Sequence, residues 1–148
     1  MTNLKIYCMA INYLNVLDKI PKHIKPFGLG NKIYPSHWMT EKEGENISHL
    51  NKFYGEATGI YWIWKNYLEK FDKDDWVGFC QYRRLWLDEM FETKQKGNIS
   101  SLYSNLLKNK NKFFESSQSI LIQPTIFTKV NLIQQFDALY GKNILKNC

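Results

Sequence analysis

Cysteine is scarce in this chain of 148 residues, and the three present, Cys8, Cys80 and Cys148, form no CxxC or Cys/His spacing. That excludes a disulfide framework and a zinc module as the organising principle. Histidine is equally thin: His23, His37 and His49 are too scattered to assemble a metal cluster by spacing. No apolar run approaches the ~20 residues needed to cross a bilayer, and the opening Met1-Thr2-Asn3-Leu4-Lys5 lacks the layout of a signal peptide. The expectation is a cytoplasmic protein. A full glycine-rich phosphate loop is also missing, because Gly28-Leu29-Gly30 has no third glycine and no helix pattern directly after it, so it reads as a turn.

What is present is apolar and aromatic. Hydrophobic residues make up 44% of the chain and aromatic ones 16%, which excludes a disordered polymer. A chain of this length buries about 68 to 70% of its unfolded surface, and with no repeat or composition break, residues 1–148 read as a single domain. The net charge of +6 favours acidic partners: nucleotide phosphates, nucleic acid or an anionic membrane face. Nucleic acid is the weakest of these, since the aromatic residues follow a buried helical period and the lysines do not cluster with them. Lys108, Lys110 and Lys112 read as a solvated helix end.

Along the chain, Leu4 to Ala10 reads as a first strand whose carboxyl end leads into a polar segment through Asn15. From Pro21 to Glu45 the signals are those of a loop, punctuated by Pro21, Pro26, Gly28, Gly30, Pro35 and Gly44. Leu50, Phe53, Ala57, Ile60, Tyr61, Trp64 and Leu68 recur at helical spacing and predict a helix from about Ser48 to Lys70 that buries this stripe against a sheet. Gly55 and Gly59, four apart on it, suggest a close approach to the backbone, by sheet packing or by a ligand. An acidic turn, Asp72-Lys73-Asp74-Asp75, precedes a short strand, Trp76 to Cys80, apolar enough to be buried on both faces. A helix over about 101–114, a strand Ser119 to Gln123 closed by Pro124 and a helix from Lys129 to Leu139 complete the reading. The alternation predicts an α/β domain with a parallel or mixed sheet and helices on its faces.

The candidate site is the carboxyl end of the Trp76–Cys80 strand, where ligands bind in open α/β sheets. It delivers Gln81, Tyr82, Arg83 and Arg84, and guanidinium forks match phosphate or carboxylate oxygens. Each arginine taken singly is as well read as a surface ion pair. Glu56, beside the glycines, is the carboxylate best suited to act as a base, or alternatively to hold Lys65 or an arginine in place. The same aromatic helix reads as core packing for Tyr61 and Trp64. The only Asp-x-Asp triplet, Asp72-Lys73-Asp74, precedes its strand, the wrong end for a metal site, so no metal is expected; Asp88 and Glu89 are the fallback pair for a divalent cation.

Taken together, Gly44-Glu45-Asn46-Ile47-Ser48, Asn51, Tyr54 to Thr58, Tyr61 to Asn66 and Val77 to Arg84 resemble a bacterial domain family of capsular-polysaccharide and O-antigen biosynthesis. Members are considered glycosyltransferases with a GT-A-like, Rossmann-like fold, galactofuranosyltransferase domains among them. The resemblance runs from the first strand to Pro124. It implies a nucleotide-diphosphate sugar donor, a polysaccharide or lipid-linked oligosaccharide acceptor, and an enzyme that is soluble or peripheral to the inner face of the plasma membrane. On that reading Arg83 and Arg84 neutralise the donor diphosphate, Glu56 takes the acceptor proton, and Asn51, Trp62, Lys65, Asn66, Gln81 and Tyr82 contact the donor, with Lys65 and Asn66 on phosphate or sugar hydroxyls and Trp62 stacked on a sugar ring. Two departures stand out: Gln81 occupies the position where the family commonly has histidine, and the chain is shorter than the family's usual domain, which suggests truncation at the C-terminus. A carbohydrate- or nucleotide-sugar-binding fragment without turnover is the alternative.

Overall fold

The first strand is the centre of the sheet. In the computed structural model, which describes residues 3–88, 105–110, 112–121 and 134, β1 (Leu4–Ala10) pairs in parallel with β2 (Ile24–Gly28) on one side and with β4 (Trp76–Gln81) on the other. A two-residue strand, β3 (Met39–Thr40), pairs in parallel with β2, which gives a four-stranded sheet of order β3-β2-β1-β4. The domain is α/β with a parallel sheet, as the alternation of elements predicts. Among the described residues no helix is long and apolar enough to cross a membrane. Backbone packing divides the chain into two compact units, Met1–Lys112 and Phe113–Cys148, and the sheet belongs to the first.

The sheet corrects the reading of residues 21–45 as a loop, because that segment contributes β2 and β3. Pro26 and Gly28 disguise β2, yet both are tolerated there. The odd-numbered residues of β2 face β1, with Ile6 N–H bonded to the His23 carbonyl at 3.0 Å and Leu29 N–H to that of Ala10 at 3.0 Å, so the missing Pro26 N–H falls on the outer side. Gly28 is required by sterics: a Cβ there would lie 2.4 Å from Cδ2 of the Tyr34 ring. Tyr34 in turn shares its hydroxyl proton between the carbonyls of Leu29 (2.8 Å) and Ala10 (3.0 Å), and burial raises its pKa.

The helical region spans the expected residues but is not one helix. A 3-10 turn (Ser48–Leu50) leads into α1 (Asn51–Tyr54), the chain breaks at Gly55 with φ 53° and ψ −128°, and α2 (Ala57–Tyr67) follows, ending in a second 3-10 turn (Leu68–Lys70). A positive φ of this kind is open to glycine at little cost. The buried face is also a correction. Thr58, Gly59, Trp62 and Ile63 face the sheet, whereas Phe53, Ile60, Trp64 and Leu68 are exposed, Trp64 at 54% and Phe53 at 71%. The small side of α2 is the one that fits. Gly59 sits so close to β1 and β2 that a Cβ would lie 2.6 Å from Leu29 Cδ2 and 2.9 Å from Met9 Sδ. Tyr7, Met9, Phe27, Leu29, Trp62 and Ile63 form the core between helix and sheet.

The opposite end of the sheet is tied by Asp75. Its carboxylate pairs with Lys5 Nζ at 2.5 Å and accepts the Asn3 N–H at 3.1 Å and the Asp72 N–H at 3.2 Å, and the Lys5 ammonium holds its pKa down at about 2. The Asp72-to-Asp75 turn is closed by a 2.9 Å backbone bond, in agreement with its reading as a helix-to-strand turn. Cys8 and Cys80 face each other in register across β1 and β4 as free thiols; the hydrogen bond that the Cys80 thiol donates to Cys8, and then burial, push its pKa up. Residues 105–110, expected in a helix, are instead irregular apart from a Leu87–Leu106 bridge, and of the described residues in the expected span helix begins with α3 (Lys112–Glu115). Ser119–Leu121, expected as strand, is irregular. The Lys129–Leu139 helix lies outside the described residues, except for Gln134, which is helical.

Candidate functional site

Beyond Gln81 the β4 ladder continues for one more bond, Tyr82 N–H to the Met9 carbonyl at 3.2 Å, and the chain then turns on itself with Arg84 N–H bonded to the Gln81 carbonyl at 2.9 Å. The returning segment is pinned from behind by Trp86, whose indole N–H donates to the Phe79 carbonyl at 2.9 Å. Arg83 and Arg84 therefore project from a tethered turn at the carboxyl edge of the sheet. Both are exposed. The Arg83 guanidinium carbon lies 5.2 Å from the Tyr82 ring centroid, a cation–π contact that orients the group without neutralising it. Among the described residues neither arginine has a carboxylate partner. The reading of either as a surface ion pair is thus not what the described residues contain.

Other predicted site residues are engaged in building the scaffold. Asn66 is saturated by local bonds: its Oδ1 accepts the Glu45 N–H at 3.0 Å, and its amide donates to the carbonyls of Glu45 and Trp62, each at 2.9 Å. Gly44, with φ 76°, is obligatory beside it, since a Cβ would lie 2.2 Å from Asn66 Oδ1. Lys65 pairs with Glu45 at 3.0 Å and stands over the Trp64 ring at 4.7 Å, and Tyr61 donates its hydroxyl to the same carboxylate at 2.6 Å. The Tyr61 hydrogen bond, then that of Lys65, lowers the Glu45 pKa. The Gly44–Ser48 segment is thereby clamped onto α2, and Asn46 completes it by accepting the Ser48 hydroxyl at 2.8 Å.

Trp62 is a correction. Placed by sequence where it would stack on a sugar, its indole is instead buried, 5.5 Å from the Phe27 ring and 5.8 Å from Tyr67, with its N–H bonded to the Glu43 carbonyl. Asn51 likewise serves the break at Gly55, donating to the Gly55 carbonyl and to Thr58 Oγ1, each at 2.9 Å. Glu56 is half-buried at the start of α2, and among the described residues its carboxylate has no bonded partner. It is not paired with Lys65, which turns to Glu45. Asp88 accepts the Lys108 N–H at 3.4 Å; Glu89 lies outside the described residues. No group of three or more His, Cys, Asp or Glu side chains converges among the described residues.

One residue near the carboxyl edge escaped sequence reasoning. Glu41, directly after β3, is fully buried; its Oε1 accepts the Gly30 N–H at 2.5 Å, while Oε2 has no partner among the described residues. Only the long-range return of β3 to β2 places it there, and no local pattern announces it.

Fold and turn together define an α/β parallel-sheet domain that presents, at the carboxyl edge, two arginines without a carboxylate partner among the described residues. The chain belongs to the family described as a domain of unknown function, DUF4422, whose model matches residues 5–148. No curated protein matches it. Among solved structures it is similar to the apo structure of WbbM, a bifunctional glycosyltransferase, with 33% sequence identity over 62% of this chain and a TM-score of 0.47. The chain spans 15% of that protein's length.

Proposed function

We propose that this chain is a GT-A-like glycosyltransferase domain that moves a sugar from a nucleotide-diphosphate donor onto a growing bacterial surface polysaccharide or its lipid-linked precursor. The observation that carries the reading is the pair of exposed arginines on a tethered turn at the carboxyl end of β4, without a carboxylate partner among the described residues. Negative charge develops on the diphosphate as the glycosidic bond breaks, so guanidinium groups held there stabilise the transition state more than the ground state. Arg83 and Arg84 take that role. Tyr82 orients Arg83, and Gln81 at the strand end offers an amide to a donor hydroxyl.

Glu56 is the carboxylate proposed to take the acceptor proton, a step that needs a group able to change protonation. Its lack of a bonded partner among the described residues supports this. A nucleotide-sugar-binding domain without turnover is the second reading, favoured by Gln81, whose amide cannot transfer a proton near neutral pH. The tests are a thermal-shift screen against uridine, guanosine and cytidine diphosphate sugars, with and without manganese, followed by an assay of donor hydrolysis. A ligand of the native state raises the melting point. Donor binding with hydrolysis that Glu56→Gln abolishes supports the enzyme; donor binding without hydrolysis supports the second reading; a flat screen refutes both.

A further inference from the structure

β3 is so short that it pairs only with Phe27 and Gly28, and among the described residues no strand lies on the outer side of Ile24 to Pro26 of β2. A cleft of about 390 Å³ opens there, within the ~300–1,000 Å³ range of small-molecule sites. An added peptide strand is a poor occupant. Pro26 has no N–H, and the Ile24 N–H is already given to the Pro21 carbonyl at 2.9 Å, so this edge offers no donors for β-augmentation.

The polar lining points to a ligand of a different kind. Lys22 and Lys25 line the cleft, are exposed, and have no acidic partner among the described residues. The one carboxylate in the lining, Asp18, is held by three hydrogen bonds. It accepts the Trp38 indole N–H at 2.7 Å, His37 Nε2 at 2.9 Å and the Tyr13 hydroxyl at 2.8 Å, bonds that lower its pKa, the indole's foremost. An ionised carboxylate only accepts, so His37 Nε2 carries the proton and Nδ1 is left as an open hydrogen-bonding site in the lining. Tyr67 lines the cleft with its ring already in contact with Lys70 Nζ at 4.0 Å and with Trp62 at 5.8 Å, so it meets a ligand by its remaining exposed edge, and Ile24 and Met39 supply apolar surface.

We infer that this cleft binds a small anionic sugar, with the lysine ammonium groups on its phosphate or carboxylate and Tyr67 and His37 against its ring and hydroxyls. Anion, hydroxyls and an apolar ring face are the three features that the lining matches. The site lies along the outer edge of β2, two strands away from β4, and does not rest on the role proposed for Arg83 and Arg84.

The test is a titration of the full chain at constant ionic strength with glucose 1-phosphate, glucuronate, methyl glucoside and inorganic phosphate, read by the backbone amide shifts of Lys22, Lys25 and His37. Saturable shifts with one of the two anionic sugars are expected, and which of them saturates distinguishes a phosphate from a carboxylate ligand. The Lys22→Ala/Lys25→Ala double variant, altered only at exposed positions, should bind at least tenfold more weakly, and Arg83→Ala should bind as the parent does. The inference is overturned if neither anionic sugar saturates, if inorganic phosphate or methyl glucoside binds as tightly, or if the double variant binds as the parent does.

Discussion

Gly59→Ala sets two physical effects of known sign against each other. On a free helix, alanine in place of glycine stabilises by about 1 kcal/mol. At position 59 the new methyl carbon would meet Leu29 Cδ2 at 2.6 Å, Met9 Sδ at 2.9 Å and Phe27 Cε1 at 3.1 Å. All three neighbours are core residues with at most 2% of their surface exposed, so none can swing into solvent. Overpacking of this kind costs about 1–3 kcal/mol, and three simultaneous contacts belong at the upper end. The expected net loss is therefore about 1–2 kcal/mol. With a urea dependence of ~1–3 kcal/mol per molar, the denaturation midpoint should fall by roughly 0.5–1 M. Gly59→Val should lower it further, while Ala57→Gly on the exposed side should cost only the ~1 kcal/mol propensity difference. A Gly59→Ala protein more stable than the parent would mean that α2 stands farther from the sheet than described, and that Thr58, Gly59, Trp62 and Ile63 are not the packed face.

Asn66→Ala removes three hydrogen bonds, two of which clamp the Gly44–Ser48 segment to α2; it should destabilise by about 1–3 kcal/mol in chemical denaturation while leaving donor affinity within about twofold, the reverse of what a ligand-binding asparagine would do. Tyr61→Phe withdraws the largest cause of the depressed Glu45 pKa, so the Glu45 carboxyl followed by NMR should titrate at higher pH than in the parent. Asp75 has a folded pKa of about 2 against an ordinary 3.8, so its stabilisation is complete above about pH 4 and disappears as pH falls through about 2. Asp75→Asn should accordingly melt at a lower temperature than the parent at pH 7, and the gap between the two should close over that acidic window.

Much of the sheet was legible because its strands carry local signals. β1 and β4 are short apolar runs bounded by polar turns; Cys8 is buried as expected, but β4, expected to be buried on both faces, is half-buried along its whole length, Cys80 included. β2 was hidden by Pro26 and Gly28, residues that normally break a strand but here sit where the missing N–H faces outward and where the Tyr34 ring lies on the backbone. The face of α2 was misread because apolar residues occur on both sides of the helix. Periodicity identified the bulkier stripe, whereas close packing selected the smaller one, Thr58 and Gly59, flanked by Trp62 and Ile63. The same limit applied to the site. Arg83 and Arg84 follow their strand directly and could be placed from order alone, but Lys65 and Asn66 are committed to Glu45 across about twenty residues, a pairing no local pattern encodes.

The most direct test of the central claim is calorimetry of Arg83→Ala and Arg84→Ala with the nucleoside diphosphate that gives the largest thermal shift. If the two guanidinium groups hold the diphosphate, each variant should bind at least tenfold more weakly, a loss of about 1.4 kcal/mol or more, with the melting temperature of the unliganded protein unchanged. Affinity equal to the parent's in both variants would contradict the account.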